Sequence, residues 1–284
     1  MPTTRRLALT AIALIGLAFA AATFVSARAQ DMPPLPDPIK KQGLIRAGIK
    51  CDYPPDGFLD AQGKNQGVEV MLARQLGVYA FGSADKVELS CVTAANRIPA
   101  LQGGKIDVIV ATLGVSEERA KVIDFSDSYA WGGSDVLTLK DSPIKSLKEF
   151  AGKKVIAMKG AWQIGWFEQH VPTAELLKLD SIADGLQALM QGRADGFAHD
   201  TDVLRPIAKK NPNVKLVGEI YQLGTRAAGI RKGETEWTQY INAAIAKAKR
   251  DGLVVQWIKQ YVEPDLQDIV IESWEMTKAP KTAG

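Results

Sequence analysis

NRIPALQGGKIDVIVATLGVSEERAKVIDFSDSY, residues 96–129, carries the pattern that decides the fold class. Its spacing predicts a short helix over Ile98–Gln102, a stop at Gly103-Gly104, a buried strand over Ile106–Ala111, a turn, and a helix opened by Ser116. The strand is a nearly continuous apolar run, as expected where a parallel strand is covered on both faces. Thr112, Gly114 and Ser116 follow its carboxyl end, the place where open α/β sheets put their ligands. Arg119 lies one turn into the following helix and reaches back over the same point.

Outward from this stretch, strand and helix signals alternate. Strands are expected at Leu44–Lys50, Lys86–Thr93, Val136–Leu139, Val155–Met158, Leu176–Leu179, Gly196–His199 and Val214–Val217. Between them, helical spacing occurs at Gly67–Ala80, Trp162–Gln169, Ile182–Met190 and from Asp202, with two more helices within Glu234–Tyr261. Such βα alternation implies parallel sheets.

The order Gly104-Lys105-Ile106-Asp107, then Ser116-Glu117-Glu118-Arg119, then Asp124-Phe125-Ser126-Asp127-Ser128-Tyr129 resembles the extracytoplasmic solute-binding proteins of amino-acid ABC transporters. The resemblance extends over most of the chain after its leader. It implies an α/β, two-lobed periplasmic-binding-protein fold of type II, each lobe a mostly parallel sheet flanked by helices, with two hinge crossovers. Lobe 1 would take residues 30–130 and 226–284, and lobe 2 with its hinge segments 131–225. Tyr129–Ser134 and Gln222–Ala227 match the crossovers, where Gly132, Gly133 and Gly224 suit hinges that absorb φ/ψ change.

Residues 1–29 read as a secretory signal: Arg5-Arg6, an apolar Leu7–Val25, then Ala27-Arg28-Ala29 in A-x-A spacing, with cleavage after Ala29. The rival is a membrane anchor, since the apolar run approaches spanning length. The cleavage site and the following Met32-Pro33-Pro34-Leu35-Pro36 favour removal. No cysteine stands at the cleavage point, so no lipid anchor is expected. Removing three arginines turns the 35 basic and 32 acidic residues of the whole chain into 32 of each. A neutral mature protein has no electrostatic footprint for nucleic acid. A periplasmic monomer is expected. Cys51 and Cys91 lie at like ends of the first two predicted strands, so an exported protein can bridge them, or bury them as free thiols.

A zwitterionic ligand needs a guanidinium or N–H groups for its carboxylate, and a carboxylate for its ammonium. The resemblance places Arg119 on the α-carboxylate, as a bidentate partner. It places the turn Lys159-Gly160-Ala161-Trp162 opposite, with backbone N–H groups at a helix start facing the anion. Here Ala161 and Trp162 replace the hydroxyls usual in the family, and Gly114 stands where Ser or Thr is usual. Trp162 reads equally as core or as cleft wall. Asp200 matches the ammonium-binding aspartate, although Asp is also a favoured helix cap. Tyr53, in Tyr53-Pro54-Pro55, is expected to cover the ligand, and Thr112 to touch it. Arg97 and Lys50 tilt the ligand toward an acidic or carboxylate-rich amino acid. Met158 and His199 are further candidates for the cleft wall.

No cofactor fingerprint is present, no metal-ligand spacing links His199 with His170, and G-x-S-x-G, P-loop and H-E-x-x-H motifs are absent. The expected function is ligand-driven closure followed by docking to an inner-membrane ABC permease. Two alternatives stand beside it. One is an exported cyclohexadienyl-dehydratase-like enzyme, with Asp200 or His199 as general acid. The other is a sensor that reports closure to a membrane partner.

Overall fold

The computed structural model describes residues 32–276, so the secretory leader and its anchor alternative lie outside the described residues. Among those residues no helix is long and apolar enough to cross a membrane. The chain opens with α1 (Asp37–Gln42) and β1 (Ile45–Ile49), then a small antiparallel sheet of β2 (Asp52–Tyr53), β3 (Gly57–Leu59) and β4 (Asn65–Gln66). Next come α2 (Val68–Phe81), β5 (Val87–Cys91), α3 (Arg97–Gln102), β6 (Val108–Val110), α4 (Glu117–Ala120) and β7 (Ile123–Phe125). The second unit holds β8 (Ala130–Leu139), β9 (Lys154–Met158), α5 (Trp162–His170), β10 (Glu175–Leu179), α6 (Ile182–Met190), β11 (Gly196–Asp200), α7 (Thr201–Lys210) and β12 (Val214–Leu216). β13 (Tyr221–Arg226) and β14 (Gly229–Arg231) return to the first unit, which α8 (Thr235–Arg250), α9 (Leu253–Tyr261) and α10 (Gln267–Glu275) complete.

The first sheet has the order β5-β1-β6-β14-β7, and the second β10-β9-β11-β8-β12, with β13 also paired to β8. Both are mostly parallel, as expected, with one strand running against the rest in each: β14 in the first and β8 in the second. β1 runs parallel to β5 and β6, and β9 parallel to β10 and β11. These strands follow helical crossovers, which parallel pairing requires. β8 is antiparallel to β11, β12 and β13, and β14 to β6 and β7. The exceptions are the strands by which the chain passes between the two units. There Gly132 pairs with Gly224 and Ala130 with Arg226, so the crossovers form one two-stranded ribbon.

One apolar core joins Ile45, Leu72 and Leu76 to Ile230, Trp237, Ile241 and Trp257. The C-terminal helices therefore cover the same sheet as the first strands. The second unit has its own cores, around Leu137, Ile156 and Phe197 on one face and Val136, Phe150 and Phe167 on the other. α4 begins at Ser116, whose side chain accepts the Arg119 N–H, and that cap fixes where Arg119 leaves the helix.

β1 and β5 lie in register with Ile49 opposite Cys91. Cys51, two residues beyond, folds back across the strand end and is bridged to Cys91, the Cα atoms 5.5 Å apart. That separation lies within the range a disulfide needs. Denatured but unreduced protein is therefore expected to take up no alkylating reagent, and mass spectrometry after reduction to find both cysteines modified. Labelling of both before reduction would sink the bridge.

Candidate functional site

A cleft of about 40 Å³ opens between the two sheets, at the carboxyl ends of the strands that precede it. The first unit contributes Lys50 and Tyr53 after β1, Arg97 from α3, Thr112 and Gly114 after β6, and Arg119 from α4. The second contributes Met158, Ala161 and Trp162 around the β9–α5 turn, and His199 and Asp200 at the end of β11. All the residues named from the sequence as ligand contacts thus line one cleft, whereas Ser116 lies outside it and caps α4. Sequence reasoning missed further lining residues, among them Gln163, Asp180 and Arg226.

One end of the cleft is cationic. Arg97 is buried, and its Nη1 donates to the carbonyl oxygens of Ala111 and, at 3.1 Å, Thr112, while its Nε has no partner. Burial brings its pKa down to about 10, and Arg119 pushes the same way, so it still carries its charge at neutral pH. Arg119 donates from Nη1 to Gly114 O at 2.7 Å and from Nη2 to Gly160 O at 3.1 Å, linking the two units. The hydrogen-bond acceptors of both guanidiniums are backbone carbonyls. Lys50 does not join them. Its Nζ pairs with Asp52 at 3.1 Å and sits 5.9 Å from the centroid of the Tyr53 ring.

The other end is anionic and held by shared donors. The Asp200 carboxylate accepts from the Tyr53 hydroxyl, from Trp162 Nε1 at 3.0 Å and from Gln163 Nε2 at 2.7 Å. Burial would raise its pKa, but Arg226 beside it and these donors outweigh that and hold it below the usual carboxylate range. Asp200 occupies the N-cap position of α7 yet accepts no helix N–H, because its side chain faces the cleft. Arg226, 2% exposed, lies 3.0 Å from Asp56, 3.0 Å from Asp202 and 3.6 Å from Asp200. Burial lowers the pKa of its guanidinium, but Tyr53 and the three carboxylates together raise it well above its ordinary value. Burial pushes Asp56 well up, which favours its protonated form. The signal for Arg226 was available: a lone arginine inside the apolar, glycine-containing run 224–230 must find carboxylate partners if it is buried.

Two backbone donors beside the cleft are already engaged within the fold. The N–H of Ala161 donates to Met158 O at 3.0 Å, closing the turn on itself, so it does not face an anion in the cleft. The N–H of Thr112 donates to Glu69 Oε2 at 2.7 Å, and the other Glu69 oxygen accepts from Tyr129. Glu69 is a buried carboxylate on the apolar face of α2, and hydropathy gave it no role. It anchors Thr112, whose φ of 48° is left-handed and strained for a β-branched residue.

His199 Nδ1 accepts the Asp200 N–H at 2.7 Å, and its ring packs on Tyr53 and Phe197. Burial lowers its pKa to about 4, although Asp200 opposes the change. The imidazole is therefore neutral at pH 7 while Asp200 is ionised, so neither an imidazolium nor a carboxylic acid is the prevailing form there. The unfolded chain takes up this proton near pH 6.5, before the folded one does. Relative to His199→Gln, the wild type is expected to keep its stability above that pH and lose it as pH falls toward about 4. Urea denaturation of both proteins at several pH values measures this. Parallel pH profiles would place His199 outside the buried set.

The model of the bacterial extracellular solute-binding proteins, family 3, matches residues 45–264. The ABC transporter glutamine-binding protein of Bacillus subtilis is 33% identical over 229 residues, covering 80% of this chain and 84% of that protein. The solute receptor for L-cysteine of Neisseria gonorrhoeae superposes with a TM-score of 0.78 at 34% identity, covering 82% of this chain and 95% of the receptor. An ancestral amino acid-binding protein described as a precursor of cyclohexadienyl dehydratase superposes with a TM-score of 0.73 at 31% identity, covering 80% and 99%.

Proposed function

The chain belongs to the bacterial extracellular solute-binding proteins of family 3, and on that premise we propose that its cleft takes up an α-amino acid and delivers it to an inner-membrane ABC permease. The observation that carries this reading is the polarity of the cleft. At one end two guanidiniums, Arg97 and Arg119, are met only by backbone carbonyls. At the other, Asp56, Asp200 and Asp202 share the single guanidinium of Arg226. A zwitterion laid between them places its carboxylate on the cations and its ammonium on the Asp200 side. Each charge then meets its opposite in a site where an unpaired charge is costly.

The protein acts as an exported, periplasmic monomer. The ligand favours the closed form because only that form lets both lobes touch it. Relatives named for glutamine and L-cysteine support the amino-acid class. Within it, the finer reading is a carboxylate-rich amino acid, with Arg119 on the α-carboxylate and Arg97 on a distal one. The neutral His199 and ionised Asp200 speak against the dehydratase reading, despite the likeness to that enzyme's precursor.

Thermal shift against amino acids and small dicarboxylates is expected to reveal at least one that raises the melting temperature with concentration. Silence across the panel, with turnover of prephenate or arogenate, would make the enzyme reading the better one. Calorimetry of glutamate, glutamine, aspartate and asparagine tests the finer point. Arg97→Ala should weaken the acids far more than their amides. A wild type that prefers the amides leaves Arg97 a structural residue.

A further inference from the structure

Trp162 opens α5 in the second lobe, but its indole ends on glycines from three other segments. A Cβ added at Gly114 would come 2.7 Å from its Cε3, one at Gly224 2.6 Å from its Cζ3, and one at Gly132 3.4 Å from its Cη2. Contacts under about 3.0 Å force something to move. Gly114 belongs to the first lobe, and Gly132 and Gly224 to the two crossovers. None of the three has a positive φ, so the backbone does not ask for glycine at any of them. In this conformation it is the indole, not a left-handed backbone, that leaves no room for a Cβ at Gly114 and Gly224, while at Gly132 the contact would be an ordinary one. The ring is also fixed from behind: Nε1 donates to Asp200 at 3.0 Å, and Gln222 Nε2 donates to the Trp162 carbonyl at 2.9 Å.

We propose that Trp162 and Gly114 form a matched pair across the cleft that sets how far the lobes close, the bulk on one lobe being accommodated only by the missing side chain on the other. The proposal rests on the reading of the protein as a two-lobed solute binder that opens and closes. It makes Trp162 a positioning residue for closure and gives Gly114, where a hydroxyl side chain would otherwise add a ligand contact, a steric reason to be glycine. Gly224 is the second half of the same seat.

A native ion-pair cluster reports closure without any ligand. Lys209 on α7 of the second lobe lies 2.7 Å from Asp265 and 3.0 Å from Glu263, both in the segment after α9 of the first. A zero-length carbodiimide joins such pairs as amides only while the lobes are together. The pair Lys178–Glu168, at 3.2 Å and wholly within the second lobe, serves as internal control. Peptide mass spectrometry then follows both products in wild type, Gly114→Ser, Trp162→Ser and the double variant.

Gly114→Ser is expected to slow formation of the inter-lobe product roughly tenfold, as for an overfilled packed contact, and to leave the control product unchanged. Trp162→Ser alone removes the bulk that the seat accommodates and should form the inter-lobe product at least as fast as the wild type, and adding it to Gly114→Ser should bring the rate back to the wild-type level or above. Gly224→Ala should behave as Gly114→Ser does and be rescued in the same way, which covers the case in which the serine variant misfolds and loses its control product. An unaltered rate in Gly114→Ser, or a double variant no faster than Gly114→Ser, overturns the pair. The readout needs no solute. A protein that binds no amino acid yet shows the rescue loses the ligand assignment and keeps the pair.

Discussion

Replacing Arg226 with alanine is expected to destabilise the protein by about 3–5 kcal/mol, the range for removing one partner of a buried ion pair. Its guanidinium is 2% exposed and is within 4 Å of three carboxylates, Asp56, Asp200 and Asp202. The first two of these are themselves buried. Without the cation they face one another across a dry space, and each must protonate or draw in water. The sign of the pH effect follows. Carboxyls whose folded pKa rises above the unfolded value stabilise the fold while protonated, and lose that contribution as pH climbs through the raised pKa. The deficit of Arg226→Ala should therefore be largest near neutral pH and shrink as pH falls. Arg226→Lys should recover only part, because one ammonium cannot reproduce a planar fork that meets Asp56 and Asp202 on different nitrogens. Urea denaturation at pH 7 and pH 5 measures both. A loss under about 1 kcal/mol at pH 7 would mean that the cluster is solvated, as an exposed pair is.

Arg119→Ala is expected to weaken ligand binding by at least about 2 kcal/mol, roughly thirtyfold in Kd, while the far-UV circular dichroism stays native. The fold should tolerate the change because the side chain's hydrogen bonds go to two backbone carbonyls and it is partly exposed. Binding should not tolerate it, for two reasons. The ligand carboxylate loses a guanidinium that has no carboxylate of its own to satisfy. The closed form also loses the 3.1 Å bond from Arg119 to Gly160 O across the cleft. Arg119→Lys separates the two, since it keeps the charge and gives up the fork. Affinity at the wild-type level in Arg119→Ala would remove this residue from the binding site.

Much of this was written in the sequence, and the reason is that it is local. Helical spacing placed α6 at Ile182–Met190, the bounds the structure has, and Ser116 marked the start of α4. Apolar runs placed β6, β9 and β11, and the ordered motifs through residues 104–129 gave the cleft its Arg119. These features depend on backbone periodicity, capping and composition within a few turns of chain. Strand direction did not follow from them, because β8 and β14 take their partners from segments on the far side of a crossover. Nor did the charge network. Arg226 meets Asp56 across 170 residues, Tyr53 meets Asp200 across 147, and Glu69 holds Thr112 across 43. In one dimension these are a crossover arginine, an aspartate after a proline turn and a glutamate on an apolar helix face. The glycines show the division most sharply. The sequence placed Gly114 and Gly224 at the turn and a crossover, but the ring of Trp162, which leaves no room for a Cβ at either, is brought against them only by folding. Local chemistry set which elements form and where the cleft lies; long-range packing and desolvation decided which charges it leaves for a ligand.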